Sequence, residues 1–318
     1  MASSFNKYFA SWKDEIPKKM YDNVIKRSPV LTMTLGKSVN WNQGGDTIRP
    51  HIKYTQAGNA GSYRGYDTLN ITPQQTRTDA EFRMKQNYAS IVFNGYEEAA
   101  SNGPNAVFDM AQIAMKDAED ALTDLLSTQI FGNGTGNGGK DILGLAAAID
   151  DGTGTAIYGG IDRSTNTWWK SQFNGTTGTI DLPKLRSMFI ACSRGGMQNS
   201  PDYMVAGLAA WNAISTITDT KLMYDMPVNN AGKMFGNLGF PYINIFGVPL
   251  VYDEYCPSNE LYMLNSETIK MWVKPGMNFK ATEVVKPADM DAYIGQILFF
   301  GELICTEPRA NGHMKGIT

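Results

Sequence analysis

The stretch NGPNAVFDMAQIAMKDAEDALTDLLSTQIFG, residues 102–132, decides the fold because it predicts one unusually long helix. Pro104 stands where a first helical turn tolerates proline, and Gly132 stands where a glycine ends a helix. The helix runs about 26 residues, roughly 40 Å at the standard rise. Charged residues that include Glu119 form its polar side. Its predicted apolar stripe consists of Val107, Met110, Ala111, Ala114, Ala118, Ala121, Leu122, Leu125 and Leu126. A helix of this length predicts a spine on which other elements pack.

A long β-hairpin is predicted before this helix. Residues 46–57 and 76–94 are β-like, and residues 58–70 between them are rich in Gly, Asn and Tyr. In the second run the polar and less polar residues alternate: Arg77, Asp79, Glu81, Arg83 and Lys85 on one face, and Thr78, Ala80, Phe82 and Met84 on the other. This period of two is typical of a half-solvated antiparallel strand. Because a two-stranded ribbon is marginal alone in water, we expect it to lie on another surface.

The first residues of the chain predict an amphipathic helix. Phe5, Tyr8, Phe9 and Trp12 recur at i, i+3, i+4 and i+7, while polar residues fill the opposite side. Chain termini fray unless something holds them, and exposed aromatic side chains of this kind are a liability. We therefore expect these four side chains to be buried, either by the chain's own core or by a neighbouring subunit.

The chain after the long helix predicts a loop-rich region, residues 132–178, and then a second compact unit. Asp181 is the predicted N-cap of a helix that ends near Ser193. Residues 203–206 indicate a buried strand, and a helix is expected over about 209–217. Strands dominate the remainder, over residues 242–251, 261–264, 269–273, 279–285 and 294–306. No repeat of fixed period is present, which excludes solenoids and propellers.

The composition limits both the architecture and the class of partner. A chain of 318 residues favours one large core with excursions or two interleaved cores. With 28 basic and 31 acidic residues and no basic run, direct binding to duplex DNA is not expected. No stretch approaches the about 18 apolar residues that a membrane helix needs. Cys192, Cys256 and Cys305 are widely spaced and odd in number, so we interpret them as small core residues.

Few residues could carry chemistry. The glycine spacing of Gly134–Lys140 is similar to that of phosphate-binding loops, but these glycines follow a helix, so we interpret them as a flexible turn. His51, in the hairpin, and His313, in the C-terminal tail, do not suggest a nucleophile or a zinc site. The acidic pairs are interpreted as solvated turn residues: Asp150, Asp151, Asp289 and Asp291. We predict no catalytic residue, no cofactor and no metal site.

Four short segments, together with the order of the predicted parts, suggest a family. They are Gly144-Leu145-Ala146, Asn199-Ser200-Pro201-Asp202-Tyr203-Met204-Val205, Phe246-Gly247-Val248-Pro249-Leu250-Val251, and Gly295-Gln296-Ile297-Leu298 followed by Thr306-Glu307-Pro308-Arg309. In this order the chain resembles the major capsid proteins of tailed bacteriophages that have the Hong Kong 97-type fold. The resemblance covers nearly the whole chain. None of the segments is a catalytic signature.

The resemblance implies an α+β capsid fold in five parts. They are an N-terminal arm at residues 1–40, an E-loop hairpin with flanking strands at 41–98, a P-domain spine helix and following loop at 99–180, an α/β A-domain at 181–272, and return strands of the P-domain at 273–318. It also implies a structural protein, not an enzyme. Copies of the chain are expected to form hexamers and pentamers of an icosahedral head that encloses double-stranded DNA without binding it specifically.

Arm and hairpin are the expected subunit contacts, because neither can bury its apolar side chains unaided. The residues are Phe5, Tyr8, Phe9, Trp12, Tyr63, Arg64, Arg77, Glu81 and Arg83. Many relatives begin with a charged scaffolding segment; here the arm comes first, so we expect a separate scaffolding protein, besides a portal and a decoration protein. The expected location is the virion, after assembly in the host cytoplasm, with no membrane partner.

Two alternatives stay open. One is an encapsulin-like shell that encloses an enzyme cargo, which neighbouring genes for terminase and portal or for a cargo enzyme would distinguish. The other is a soluble glycan- or nucleotide-handling enzyme, which elution of the purified protein as a monomer or dimer with bound nucleotide would favour.

Overall fold

The structure is a computed structural model. It describes residues 28–42, 44–94, 104–193, 199–219 and 242–318, and the side chains of these residues except 104–113 and 218–219. The helices of this part of the chain are α1 (Pro29–Gly36), α2 (Pro104–Ile130), the single turn α3 (Gly136–Gly139), α4 (Leu145–Ala148), α5 (Leu182–Cys192) and α6 (Leu208–Asp219). Two 3-10 turns span Thr167–Trp169 and Pro308–Ala310.

The strands divide into two large sheets and three short pairs. In chain order they are β1 (Val39–Asn40), β2 (Thr47–Ile48), β3 (His51–Lys53), β4 (Arg77–Asp79), β5 (Phe82–Arg83), β6 (Lys85–Asn94), β7 (Ile157–Tyr158), β8 (Ile161–Asp162), β9 (Gln172–Asn174), β10 (Tyr203–Ala206), β11 (Tyr242–Ile245), β12 (Val248–Tyr252), β13 (Leu261–Leu264), β14 (Ile269–Val273), β15 (Lys280–Ala281), β16 (Ala292–Cys305) and β17 (Gly312–Met314).

Strand β16 organises a five-stranded sheet. It pairs antiparallel with β6 along ten residues, from Ala292 opposite Asn94 to Gly301 opposite Lys85. It also pairs antiparallel with β14 and β15, and β1 lies parallel to β14 at the edge. Alternate residues of β6 are buried, and this inner face of the sheet contacts helix α2. The outer face of β6 is exposed.

The six-stranded sheet has the order β11-β12-β10-β13-β17-β9, and its central strands separate two hydrophobic clusters. Along β10, Tyr203 and Val205 face the larger cluster, while Met204 and Ala206 face the smaller one. The smaller cluster also takes side chains from α5 and α6. The chain therefore has two cores that share a sheet, which is one of the two arrangements expected from its length.

The predicted hairpin is confirmed. Strand β2 pairs with β5 and β3 with β4, so that Ile48 lies opposite Phe82 and Ile52 opposite Thr78. The predicted alternation also holds from Arg77 to Arg83, with the odd-numbered side chains exposed. The phase changes at β6, because the buried side chains of that strand are the odd-numbered ones.

Helix α2 has the predicted bounds, but its predicted apolar stripe is partly wrong. Ala121 and Leu125 are exposed, whereas Glu119 and Thr123 are buried together with Leu122. The hydroxyl of Thr123 donates to the carbonyl of Glu119 at 2.8 Å, and the hydroxyl of Ser127 donates in the same way to Thr123. Because small polar side chains can satisfy themselves on the helix backbone, they can lie on the buried face, and hydrophobicity alone misplaces that face.

Two predicted strands are corrected. Residues 242–251 form a tight antiparallel hairpin, not one strand, because Phe246 and Gly247 at its turn have φ values of 55° and 78°. Two consecutive positive φ values are typical of the turn that joins two paired strands. The predicted strand 279–285 contains β15 and one isolated bridge, Val285 with Ile294.

The second unit agrees with the sequence. Asp181 caps α5 by accepting the amide of Lys184 at 2.8 Å, β10 is fully buried, and α6 follows it. The three cysteines are free and buried, as predicted.

The boundaries of the five parts stay predictions. Strands β9 and β17 pair with each other in the six-stranded sheet, and β14 belongs to the five-stranded one.

Candidate assembly interface

The predicted contact residues of the N-terminal arm, Phe5, Tyr8, Phe9 and Trp12, lie outside the described residues. The described chain begins at Ser28, the N-cap of α1. The Ser28 hydroxyl accepts the Leu31 amide at 3.3 Å and donates to the Asp253 carboxylate at 2.7 Å. Burial raises the pKa of Asp253, although the hydrogen bond from Ser28 opposes this change. Ser28, the first described residue, is therefore fixed to the folded subunit.

The other five predicted contact residues lie on the hairpin, and all are exposed. Arg77, Glu81 and Arg83 are on its second strand, and Tyr63 and Arg64 are in its loop. The structure therefore places these five residues on one element, the hairpin with its loop. Their role as contacts stays a prediction.

Two cross-strand contacts join a basic side chain to a carboxylate on this hairpin. Arg49 Nη2 lies 3.4 Å from Glu81 Oε2, and His51 Nδ1 lies 2.5 Å from Asp79 Oδ1. Pairs this exposed contribute little to folding stability. Tyr54, by contrast, stacks on Trp168 with ring centroids 5.2 Å apart, which ties the hairpin to the body of the subunit.

The loop of the hairpin, residues 55–75, is exposed at every position. Four large side chains in it face water: Tyr63 (67% exposed), Tyr66 (107%), Leu69 (56%) and Ile71 (87%). Its two charged residues, Arg64 and Asp67, contact each other through the backbone, since the Arg64 amide donates to the Asp67 carboxylate at 2.8 Å. The loop thus has no net charge, and its four large side chains stay exposed in the part of the chain that the structure describes.

A second exposed surface with few charges is the outer face of the five-stranded sheet. Directly paired residues share a face of a sheet, and three rows therefore cross it. The rows are Val285, Ile294 and Val92; Thr282, Gln296 and Ser90; and Lys280, Leu298 and Tyr88. Lys280 is the single charge in these rows. Tyr88, Val92 and Val285 are each more than half exposed. The exposed apolar side chains make this face a candidate interaction surface.

Buried polar groups are the part of the structure that sequence reasoning missed. Asp150, predicted to be solvated, is buried and accepts the amides of Gly152, Gly154 and Thr155 at 2.8–3.1 Å. Its spacing to two following glycines is a turn signal that could have indicated this role. Asp289 and Asp291 are exposed, as predicted, and Asp151 is partly exposed.

Arg163 lies next to Asp150 and is fully buried. Its guanidinium donates to the carbonyls of Ala147 and Ala148 at 2.8 and 2.6 Å, which caps the end of α4. It also lies 4.8 Å from the centre of the Tyr158 ring and 3.9 Å from Asp150. Burial lowers the pKa of Arg163, while Tyr158 and Asp150 oppose this change. The Arg163 side chain therefore holds together the loop that follows the spine helix α2.

His313, which the sequence placed in a tail, is buried in strand β17. Its Nε2 lies 3.0 Å from Glu260, and its ring stacks on Tyr262 at 4.1 Å. The Tyr262 hydroxyl donates to Glu260 at 2.7 Å, and Lys315 lies 3.2 Å from the same carboxylate. Burial alone would raise the pKa of Glu260, but the hydrogen bonds from His313 and Tyr262 lower it to about 2. This cluster joins strands β13 and β17.

The described part of the chain contains no group of three or more His, Cys, Asp or Glu side chains that could hold a metal ion. Among its helices, none is both long and apolar enough to cross a membrane. The glycine-rich segment Gly134–Lys140 follows α2 and includes the exposed turn α3, with Asn137 and Gly138 at positive φ. This conformation is the turn predicted for it.

Comparison with known proteins identifies the fold. No protein-family model and no curated protein matches the sequence. Among solved structures, the cyanophage A-1(L) capsid asymmetric unit matches with a TM-score of 0.70 at 19% identity, over 92% of this chain and 93% of that chain. The capsid of the native GTA particle matches with a TM-score of 0.55 at 12% identity, over 90% and 91%. Mycobacterium phage Bobi matches with a TM-score of 0.55 at 14% identity, over 91% and 90%.

These likenesses confirm the predicted fold class. The chain has the α+β fold of the Hong Kong 97-type phage capsid proteins.

Proposed function

We propose that this chain is the major capsid protein of a tailed bacteriophage, a structural subunit without enzymatic activity. Copies of it form hexamers and pentamers of an icosahedral head shell around double-stranded DNA. The observation that supports this proposal most strongly is the fold similarity to the cyanophage capsid subunit, which covers 92% of this chain and 93% of that one.

The two exposed surfaces support the same proposal. The loop at residues 55–75 and the outer face that carries Tyr88 and Val92 are each exposed in the part of the chain that the structure describes. In a closed shell every copy presents both surfaces to neighbours related by rotation, so that all copies are satisfied together. Contacts that are individually weak then add up around the shell.

The charge of the chain supports enclosure of DNA without specific binding. Twenty-eight basic residues against 31 acidic ones, without a basic run, give little attraction for a phosphate backbone. We further propose a separate scaffolding protein, a portal and a decoration protein as partners. The proposed location is the virion, reached after assembly in the host cytoplasm.

Sedimentation velocity of the purified full chain, with and without added ATP, tests the proposal. We expect hexamer-sized or shell-sized species whose sedimentation does not respond to the nucleotide. A stable monomer or dimer that binds ATP contradicts the proposal and favours the enzyme alternative.

A further inference from the structure

The base of the hairpin is anchored in the buried core. Phe82 of β5 packs against the ring of Tyr158 with centroids 5.0 Å apart, and both side chains are buried. The amide of Glu81 donates to the carbonyl of Gly159 at 2.8 Å, and a Cβ at Gly159 would lie 2.6 Å from the Phe82 ring. Because buried groups in such close contact cannot shift freely, the base of the hairpin has a fixed position in the subunit.

Tyr54 makes the contact with the body that lies farthest along the hairpin. Its ring stacks on Trp168 with centroids 5.2 Å apart and an angle of 28° between the rings, and both side chains are partly exposed. Its hydroxyl donates to the carbonyl of Gln75 at 2.7 Å, and its amide donates to the carbonyl of Thr76 at 3.1 Å. Tyr54 therefore joins the two sides of the hairpin to each other and to the body.

Beyond Tyr54 the hairpin is linked only to itself. The Gly58 amide donates to the side-chain carbonyl of Gln74 at 2.6 Å, and the Asn59 side-chain amide donates to the carbonyl of Thr72 at 2.7 Å. Within the part of the chain that the structure describes, residues 55–75 make no hydrogen bond, ion pair or ring contact with a residue outside the hairpin. The outer hairpin is thus a linked unit whose specific contacts with the body end at the Tyr54 ring.

Trp168 is a fixed platform for this ring. It lies in the 3-10 turn Thr167–Trp169, and its ring centroid is 5.6 Å from that of Trp169. Trp169 is buried, and its indole N–H donates to the carbonyl of Tyr158 at 2.9 Å. The platform is therefore tied to the same residue that anchors the base of the hairpin.

We propose that the Tyr54–Trp168 stack positions the hairpin loop, because it sets the direction in which residues 55–75 leave the body. Without the stack, the outer hairpin pivots about its buried base. An aromatic pair of this kind shifts an equilibrium by about two- to tenfold beyond the effect of burial alone. Tyr54 and Trp168 are thus positioning residues for Tyr63 and Arg64, two of the predicted contacts. The direction of the loop is a property of the single subunit, and only its use as a contact rests on the proposed function.

A distance measurement between two spin labels tests this role in the full-length, unassembled chain. The labels are attached at Ser62→Cys in the loop and at Lys116→Cys on α2, both exposed positions. The three native cysteines are buried, so the introduced ones are labelled selectively. With the stack intact we expect one narrow distance distribution. The further substitution Tyr54→Leu removes the ring and keeps an apolar side chain, and it should broaden the distribution by at least about twofold.

Matched variants separate the stack from the other contacts of Tyr54. Tyr54→Phe keeps the ring and loses the hydrogen bond to Gln75, so the distribution should stay narrow. Trp168→Leu removes the other half of the stack and should broaden the distribution as Tyr54→Leu does. The variant with both leucines should broaden it no further than either alone, because the two residues act through one contact. Thermal unfolding followed by circular dichroism checks that each variant is folded.

The outcomes decide between the stack and its neighbours. An unchanged distribution in Tyr54→Leu overturns the proposal. Equal broadening in Tyr54→Phe also overturns it, since the hydrogen bond to Gln75 would then set the direction. If one of the two leucine variants does not fold, the other decides. Because the labels report on the separate subunit, a chain that forms no shell can still show the effect of the stack, and the two proposals fail independently.

Discussion

Val92 lies directly opposite Ile294 in the β6–β16 pair, on the face of the sheet that points away from helix α2. Val285 continues the same row on the other side of Ile294. The core of the subunit does not need this row, because Val92 is 56% exposed. If the chain forms a shell, a substitution in this row should impair assembly without impairing folding.

Replacing Val92 with Glu should leave the subunit folded and prevent assembly. Surface substitutions usually change the free energy of unfolding by about 0.5 kcal/mol or less, whereas a charge buried unpaired in an interface costs several times more. Thermal unfolding and sedimentation of the same preparation measure the two effects. Val92→Ile keeps the row apolar and should assemble like the wild type. Normal assembly of Val92→Glu means that no neighbour covers this face.

Substitutions in the hairpin loop should likewise impair assembly and leave the subunit folded. The double variant Tyr63→Ser, Tyr66→Ser removes two exposed rings, so the melting temperature of the subunit should not change. Each ring buried against a neighbour contributes roughly 1.5–3 kcal/mol, and we expect the concentration needed for assembly to rise at least tenfold. The matched Tyr63→Phe, Tyr66→Phe variant keeps most of the apolar area and should assemble nearly normally. Equal assembly of the two double variants contradicts a contact at these rings.

Deleting residues 1–14 tests the arm. The deletion removes the aromatic stripe predicted to contact a neighbour, so a folded subunit that assembles poorly is expected. Circular dichroism checks the fold and light scattering checks assembly. A full-length variant with Asn6 and Ser11 replaced by Ala changes the polar side alone and serves as the control. Shells of normal yield from the truncated chain would rule out the arm as a contact.

Acid should destabilise the subunit through Glu260. Its pKa of about 2 in the fold lies below the ordinary value of 4.5, so its contribution is present above about pH 4.5 and is lost as the pH falls towards 2. At pH 7 the contribution is at most about 3 kcal/mol. Urea unfolding of wild type and Glu260→Gln should therefore differ at pH 7 and converge near pH 2. Asp289→Asn, at an exposed carboxylate, should follow the wild type throughout. Parallel stability curves for wild type and Glu260→Gln contradict this role.

Elements with a strong local signal could be predicted from the sequence. Pro104 and Gly132 mark the ends of the spine helix, Asp181 marks the start of α5, and the alternation after Arg77 marks the hairpin strand. In each case the deciding interactions are local, since caps, turns and strand periodicity depend on a few neighbouring residues.

Features that depend on distant partners could not be predicted. The buried state of Glu302 requires Leu143, which is 159 residues away in sequence, and the buried state of His313 requires Glu260. From the sequence alone a charged residue is expected to be exposed, because the sequence does not show the partner that allows it to be buried. The buried face of α2 was misjudged for a related reason, because Thr123 satisfies its hydroxyl on the helix itself.

Cryo-electron microscopy of the purified full-length protein tests the central claim most directly. The account predicts closed icosahedral particles in which the loop of one copy and the outer sheet face with Tyr88 and Val92 are both covered by neighbouring copies. Dispersed monomers or dimers that expose both surfaces at assembly-competent concentrations would contradict it.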